Sequence, residues 1–420
     1  MADPAALTAT DAARAIQAGT LAPAALLDAC LDRLLAREAV VQAMAYVDPT
    51  QARAAVPLPG PLHGLPVGVK DVIDTADMPS EYNSAIWRGH RPRHDAACVA
   101  WAQAAGAVAF GKTVTTEFAT RHPGPTSNPH DPARTPGGSS SGSAAGVAAG
   151  FFPLAFGTQT AGSVIRPAAY CGVVGYKPTF GLIPREGMKL MSDSLDTVGV
   201  MARSVADCAL FAGAVSGADL GEPDARPGTA PRIGLCRTPL WDRAAPETHA
   251  LFERVASRLG AAGAALRDVR LPGAYDGVED AHAVVMNAES ARALGWEMTR
   301  HRDALSPALR ERMEWGLAQP AAAVAEARAT LRGLRAGFPD VMDGLDVLLT
   351  PAASGEAPVG LSWTGDAGFN FIWTGLHVPC VTVPAGTGPN GMPLGIQVVG
   401  RFGEDRAALA WAAWVAGALA

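Results

Sequence analysis

The chain alternates short apolar runs with longer helix-like segments, and this alternation limits the folds open to it. Apolar runs of four or five residues occur at LPVGV (65–69), DVLLT (346–350), CVTV (380–383) and GIQVV (395–399). Runs of this length are typical of buried strands. The segments between them place apolar residues at the three-and-four spacing of helices. Helices that alternate with apolar strands predict an α/β fold around a largely parallel or mixed sheet.

Two parts of the chain are predicted to be mostly helical. The first is an N-terminal segment of about 5–45, with Asp11 as the expected helix cap, and the second is a variable segment of about 220–345. Residues 215–231 contain Pro and Gly, and they predict a surface loop rather than a domain boundary. With no internal repeat and no clear linker, we predict one domain over residues 1–420.

Charge and cysteine usage exclude several classes of function. The net charge of −6 comes without a basic tract, which disfavours nucleic acid and membrane surfaces as partners. No apolar run reaches the roughly 20 residues of a membrane span, and the first residues do not resemble a signal peptide. The cysteines are scattered without a CxxC pair, and HExxH is absent. We therefore expect a cytoplasmic protein that uses neither a metal nor an organic cofactor.

Two short patterns resemble nucleotide and hydrolase motifs without their structural context. GAVAFGKT (106–113) fits the phosphate-loop pattern, but Ala-Val-Ala-Phe favours a strand over a loop. Lys112 is therefore predicted to be an ordinary lysine at a strand end. GSSSG (138–142) fits GxSxG with Ser140 as the nucleophile, although turn-forming residues precede it instead of a strand. An α/β-hydrolase that uses Ser140 and a downstream histidine such as His377 stays an alternative.

Three other segments together supply the groups that an activated serine nucleophile needs. GLPVGVKD (64–71) puts Lys70 at the end of a buried strand, PGGSSSGSAAG (136–146) is a Gly/Ser-rich loop, and GTQTAGS (157–163) leads into Ser163. A serine hydroxyl needs a base to become a nucleophile, and burial can lower a lysine pKa enough for that purpose. A second serine can pass the proton, and successive amides of a small-residue loop can hold an oxyanion.

These segments resemble blocks of the amidase signature family. RTPGGSSSGSAAG (134–146), GTQTAGSVIRPAAYCGVVGYKPTFG (157–181), DTVGVMARSVAD (196–207) and FNFIWTGLHVPCVTVPAG (369–386) follow each other in the family order. The resemblance covers nearly the whole chain. It implies a single α/β/α domain around a large twisted mixed β-sheet, often in a dimer.

The resemblance also implies a Ser-cisSer-Lys triad. In this triad Lys70 is the base, Ser139 is the bridging serine after a cis peptide bond, and Ser163 forms the acyl-enzyme. The amides of the loop would form the oxyanion hole, with Ser140 in support; the loop residues are Thr160, Ala161, Gly162 and Ser163.

The chain departs from the common family form GTDTGGS at Gln159 and Ala161. Both changes keep the backbone amides. Arg166 follows the nucleophile by three residues, as in malonamidase-like members, where this arginine receives a substrate carboxylate. A bidentate contact of that kind is one interpretation of Arg166. A structural ion pair beneath the loop is the other, and the sequence leaves both open.

The prediction is an amidohydrolase that cleaves the C–N bond of a small linear amide, which can carry a carboxylate, and works as a homodimer. The variable helical segment and residues near Trp87, Phe369 and Trp373 are expected to line the pocket. Two alternatives stay open: the amidase subunit of a glutamine-dependent tRNA amidotransferase, and the α/β-hydrolase that uses Ser140.

Overall fold

The structure is a computed structural model that describes residues 3–221 and 227–420. Its centre is one mixed sheet of 11 strands with helices around it, which confirms the large mixed sheet that the resemblance implies. The strands are β1 (Met44–Tyr46), β2 (Pro66–Lys70), β3 (Val108–Thr113), β4 (Leu154–Gln159), β5 (Val174–Lys177), β6 (Thr197–Ala202), β7 (Arg232–Cys236), β8 (Ala265–Val269), β9 (Val347–Pro351), β10 (Cys380–Thr387) and β11 (Pro393–Val399).

Along the sheet the strand order is β1-β3-β2-β4-β6-β5-β10-β11-β9-β7-β8. Parallel pairing joins β2 to β3 and β4, and joins β7 to β8 and β9. The other neighbours are antiparallel. Every residue of β2 and β4 is buried, which explains why these strands are apolar on both faces up to the polar residues at their carboxyl ends. Because β2 and β4 are parallel, their carboxyl ends meet at the same edge of the sheet.

The helices pack on the two faces and at the ends of the sheet. They are α1 (Ala9–Gln17), α2 (Pro23–Val41), α3 (Pro49–Ala54), α4 (Ala97–Ala104), α5 (Ser141–Ala149), α6 (Ile165–Cys171), α7 (Val205–Ser216), α8 (Pro246–Ala261), α9 (Val278–Ala293), α10 (Gly295–Arg300), α11 (Pro307–Leu317), α12 (Ala321–Val341), α13 (Phe371–Gly375) and α14 (Asp405–Leu419). Among the described residues, no helix is both long and apolar enough to cross a membrane.

The glycines of the Gly/Ser-rich block allow helix α5 to pack closely against the sheet and its adjoining segments. A Cβ on Gly142 would lie 2.1 Å from the Ala43 carbonyl oxygen and 2.4 Å from the Val114 nitrogen. A Cβ on Gly146 would lie 2.2 Å from the Phe152 ring. Side chains larger than hydrogen do not fit at either position, so the composition of this block serves close helix–sheet packing.

Several local predictions need correction. Thr8 caps α1, because its side chain accepts the Asp11 amide, so Asp11 is not the cap. GTQTAGSVIRPAAYCG (157–172), which predicts a small-residue loop followed by a turn, instead forms helix α6 directly after Ser163 and Val164. Strand β8 interrupts the helical segment, because its residues pair with β7 at the sheet edge. Residues 217–221 and 227–231 form no helix or strand, as a loop would, and 222–226 lie outside the described residues. One domain over 1–420 stays a prediction.

Candidate active site

Lys70 ends strand β2 and is completely buried. Its Nζ lies 2.8 Å from Ser139 Oγ and 2.7 Å from Thr158 Oγ1. The Thr158 carbonyl oxygen lies 3.4 Å away. Burial holds the pKa of Lys70 well below its usual range, and the charge of Asp196 opposes this shift only in part. A neutral amine that touches a serine hydroxyl has the properties of a general base.

Ser139 and Ser140 directly precede helix α5, and Ser140 contacts the carboxyl end of strand β4. The peptide bond from Gly138 to Ser139 is cis. Ser140 Oγ accepts the Thr158 amide at 3.2 Å, and the Ser140 amide donates to the Ser163 carbonyl at 3.4 Å. Ser140 is fully buried, so its hydroxyl joins the loop to β4.

Ser163 follows strand β4 in a loop of small residues (160–164, hereafter the Ser163 loop). It is 9% exposed and lines a cavity, whereas Ser139 and Lys70 lie beneath it. Within the described chain, no protein oxygen accepts the backbone amides of Ala161, Gly162 and Ser163. Gly162 is required here, because a Cβ would lie 2.4 Å from Asn370 Oδ1. The loop therefore places a serine that lines the cavity next to backbone amides that have no protein acceptor among the described residues.

Thr160 fixes the start of the Ser163 loop through two buried partners. Its hydroxyl donates to Asp196 Oδ1 at 2.6 Å, and its carbonyl accepts His282 Nε2–H at 2.9 Å. Asp196 also accepts the amides of Met191 and Ser192. Burial lowers the pKa of His282 to about 4, so the ring is neutral near pH 7. The sequence analysis did not identify Asp196 or His282; Asp196 opens one of the family-like blocks, and His282 has no local signal.

The cavity above Ser163 has a volume of about 320 Å³. Helices α9 and α11 from the variable segment line one wall, as predicted, and Trp363, which is 55% exposed, lines the cavity too. Residues near Phe369 and Trp373 also line the cavity, as predicted, namely Ala367 and Phe371. Phe369 and Trp373 themselves are core residues with at most 1% exposure. Trp87 does not line this cavity, and its indole N–H donates to Glu297.

Arg166 lies in helix α6 and is 6% exposed, yet it lines the same cavity. Its Nη2 donates to the Gly138 carbonyl at 2.7 Å and to Thr364 Oγ1 at 3.3 Å. Its buried Nε has no hydrogen-bond partner among the described residues. No carboxylate of the described chain lies within ion-pair distance of it, so the structural ion pair considered for Arg166 is not formed.

Neither GSSSG (138–142) nor GAVAFGKT (106–113) has the structural context that its motif requires. Ser140 follows a loop instead of a strand, and His377 Nε2 donates to the Ser194 carbonyl, not to a serine hydroxyl. This geometry gives no support to the α/β-hydrolase alternative. GAVAFGKT contributes strand β3, as predicted. Lys112 is not an ordinary strand-end lysine, however, because it is fully buried with Asp71 3.6 Å away.

The sequence pattern of the family described as Amidase matches residues 25–409. The chain belongs to the amidase family. One curated relative of this amidase is a glutamyl-tRNA(Gln) amidotransferase subunit from Chloroflexus aurantiacus, 32% identical over 94% of this chain and 93% of the relative.

Solved structures resemble this chain over almost its full length. A structure described as an amidase is 32% identical with a TM-score of 0.89, and the match covers 99% of this chain and 100% of that one. A 6-aminohexanoate cyclic dimer hydrolase, solved with its substrate, is 26% identical with a TM-score of 0.88 over 99% of this chain and 98% of that one. Membership of the family supports amide hydrolysis, and these relatives range from an amidotransferase subunit to a cyclic dimer hydrolase.

No group of three or more histidine, cysteine, aspartate or glutamate side chains in residues 3–221 and 227–420 is placed to hold a metal ion. The structure brings the predicted residues Lys70, Ser139 and Ser140 to one edge of the sheet, below the loop that carries Ser163. Thr158 was missed as the second neighbour of Lys70. Its place in GTQTAGS, directly before Gln159 at the end of β4, is the signal that identifies it in retrospect.

Proposed function

We propose that this amidase hydrolyses the C–N bond of a small amide through an acyl-enzyme formed on Ser163. The observation that carries the proposal is the buried Lys70, whose Nζ lies 2.8 Å from Ser139 Oγ, with only hydroxyl and carbonyl oxygens around it. Such surroundings favour the neutral amine over the ammonium ion. A neutral lysine can take a proton that the Ser139 hydroxyl relays.

In the proposed first half-reaction, Ser163 Oγ attacks the amide carbonyl carbon. Its proton moves to Ser139 Oγ, while the Ser139 proton moves to Lys70 Nζ. When the tetrahedral intermediate collapses, the C–N bond breaks and the same route returns a proton from Lys70 to the departing amine. In the second half-reaction, water attacks the Ser163 ester and loses its proton along this route. The acid then leaves and Ser163 regains its hydrogen.

The oxyanion of each tetrahedral intermediate is proposed to bind the amides of the Ser163 loop. Those of Ala161, Gly162 and Ser163 have no protein acceptor within the described chain, which supports this role. The Thr160 amide belongs to the same proposed set. Asp196 and His282 hold Thr160 in place, so the donors are arranged before substrate arrives. Ser140 supports the arrangement by its bond to β4.

Arg166 is proposed to receive a carboxylate of the substrate. It lines the cavity beside Ser163, is desolvated, and has no carboxylate partner among the described residues. A desolvated guanidinium that faces a cavity favours a charge-assisted contact with an anion. Its hydrogen bond to the Gly138 carbonyl also supports the loop that carries Ser139. The proposed substrate is therefore a small amide with a carboxylate near the scissile bond.

The direct test exchanges each serine in turn. Ser163→Ala should lose amide hydrolysis by several orders of magnitude without unfolding, because nucleophile and base act as a unit. Ser140→Ala is the matched control, since it removes a hydroxyl that supports the loop, and it should keep measurable turnover. A panel of malonamate-like, aliphatic and aryl amides supplies the substrates. Wild-type turnover by Ser163→Ala would refute the proposal, and an inactive Ser140→Ala with an active Ser163→Ala would favour the α/β-hydrolase alternative.

A second candidate is the amidase subunit of a glutamine-dependent tRNA amidotransferase. It is favoured by the 32% identity with the Chloroflexus aurantiacus relative, a match that covers 93% of that protein. In that role the same residues would release ammonia from glutamine for a partner protein. Co-purification with a partner from the native host, together with a preference for glutamine over the amide panel, distinguishes it. A homodimeric state, a cytoplasmic location and a linear substrate remain part of the first proposal, and light scattering tests the dimer.

A further inference from the structure

Gln159 occupies the last position of strand β4 and is completely buried. Its Oε1 accepts the amides of Val164 and Ile165 at 2.9 and 3.0 Å, directly after the nucleophile. Its Nε2 donates to Thr374 Oγ1 at 2.9 Å. One side chain thus joins the end of the Ser163 loop to helix α13.

Thr374 completes the connection to the other half of the loop. Its hydroxyl accepts the Gln159 amide and donates to the Ala161 carbonyl at 2.7 Å. Asn370, one turn earlier, packs so close to Gly162 that no Cβ fits between them. The linked side chains of Gln159 and Thr374 therefore hold the backbone on both sides of Ser163. They bind the Ala161 carbonyl before it and the Val164 and Ile165 amides after it.

The charge at this point matters because the peptide group that joins Thr158 to Gln159 lies beside Lys70, with the Thr158 carbonyl oxygen 3.4 Å from Nζ. Thr158, the neighbour of Gln159 in β4, contacts Lys70 with its hydroxyl. Charged and titratable groups around the Ser163 loop include Lys70 on β2, Asp196 before β6, Arg166 on α6 and the neutral His282 on α9. The lining of the cavity at Ser163 adds Arg121, Glu279, Arg312 and Asp366. The charge of Asp196 favours the ammonium form of Lys70. A second carboxylate at 159 would favour the ammonium form of Lys70.

We propose that Gln159 is a positioning residue that holds the Ser163 loop through Thr374 and does so without adding a negative charge near Lys70. This inference rests on the proposed function. It predicts that a glutamine at the end of β4 keeps the basic form of Lys70 available at lower pH than a carboxylate of the same size would. The common family form GTDTGGS carries aspartate at this position, so the effect is specific to chains with the amide.

The test is the pH dependence of kcat/KM in Gln159→Glu, which preserves size and the acceptor for the two amides. The amides of Val164 and Ile165 stabilise the ionised carboxylate. Because this carboxylate favours the ammonium form of Lys70, we expect the rise of kcat/KM with pH (the rising limb of the profile) to occur at a pH higher by roughly one unit than in the wild type. Gln397→Glu is the matched control: Gln397 is equally buried, but its amide donates to the Pro351 and Phe369 carbonyls and not to the loop. Its limb should stay in place.

A limb in Gln159→Glu that coincides with the wild-type limb would overturn the inference, as would an equal movement in Gln397→Glu. If Gln159→Glu does not fold, Thr374→Val tests the same connection. It should lower kcat by about tenfold at unchanged KM, because the oxyanion donors act mainly on the transition state. Thr374→Ser should restore kcat, and wild-type kcat in Thr374→Val would contradict the positioning role.

Labelling with a fluorophosphonate separates this inference from the proposed function. Ser163 of the wild type should be labelled stoichiometrically, as identified by mass spectrometry of the tryptic peptide. If Ser163 is labelled but the limb does not move in Gln159→Glu, only the Gln159 inference fails. If the label is found on another residue and Ser163→Ala is active, the proposed function itself fails.

Discussion

Lys70 and Lys112 end or nearly end two neighbouring parallel strands, and both are fully buried. Lys70 meets two hydroxyls and a carbonyl. Lys112 donates to the Ile73 carbonyl and the Ser80 hydroxyl, and its Nζ lies 3.6 Å from Asp71. Asp71 directly follows Lys70 in sequence, yet its carboxylate lies at Lys112.

The comparison teaches that burial alone does not make a lysine a base. Burial lowers the pKa of both side chains, but the Asp71 carboxylate opposes the shift at Lys112 and favours the ammonium ion there. At Lys70 the charge of Asp196 opposes the shift, but no carboxylate of the described residues lies within ion-pair distance of Nζ. The difference in partners separates a structural ion pair from a proposed catalytic base on adjacent strands.

The largest expected effect separates the two lysines by activity. Lys70→Arg should lower kcat/KM by at least about a thousandfold, because arginine stays protonated and cannot accept the Ser139 proton. The fold should persist, as judged by circular dichroism. Lys112→Arg keeps the charge beside Asp71 and should lose far less activity. A Lys70→Arg enzyme with wild-type turnover would contradict the assignment of the base.

Lys112, in contrast to Lys70, should matter for folding stability more than for activity. Lys112→Met leaves Asp71 buried without its cation, which costs about 3–5 kcal/mol for a pair of this kind. Chemical denaturation measures this loss in the free energy of unfolding. Adding Asp71→Asn to Lys112→Met removes the unpaired charge and should recover part of the stability. If the single variant is as stable as the wild type, the ion pair does not have the structural role assigned here.

Arg166 extends the comparison to a buried cation beside the cavity. Arg166→Gln should lower kcat/KM for an acidic amide by roughly one to two orders of magnitude, through loss of a charge-assisted contact. A neutral amide of similar size should change little. Both substrates and the melting temperature are measured on the same variant. Parallel losses on the two amides together with a lower melting temperature would assign Arg166 to loop support through Gly138 only.

The smallest expected effect concerns how kcat/KM depends on pH. Because the folded-state pKa of Lys70 lies below its usual value, the basic form is present above that pKa and is lost as pH falls through it. Activity should therefore rise with pH on one limb. His282 and His377 have pKa values of about 4, so a limb above pH 5 does not come from either. The measurement is kcat/KM from pH 5 upward in His282→Gln. If the rise with pH is the same as in the wild type, Lys70 is supported as the group that titrates.

Much of the sheet could be predicted from local sequence. The runs around 65–69, 346–350, 380–383 and 395–399 all became strands, because a short apolar run is buried on both faces at the centre of a sheet. Strands β5 and β6 were not predicted. Each carries one glycine within a family-like block, and they pair with each other and with β10 and β4.

The sequence by itself determined the α/β class, the family resemblance and the likeness of GTQTAGS and the Gly/Ser block to catalytic segments, because these properties lie in contiguous residues. Only the tertiary structure decided which side chains meet. Thr158 reaches Lys70 across 88 residues, His282 reaches Thr160 across 122, and Gln159 reaches Thr374 across 215. The partners of a buried polar group depend on how the sheet and helices pack, and no local spacing encodes that. For the same reason, the sequence could not separate Lys70 from Lys112 by their partners.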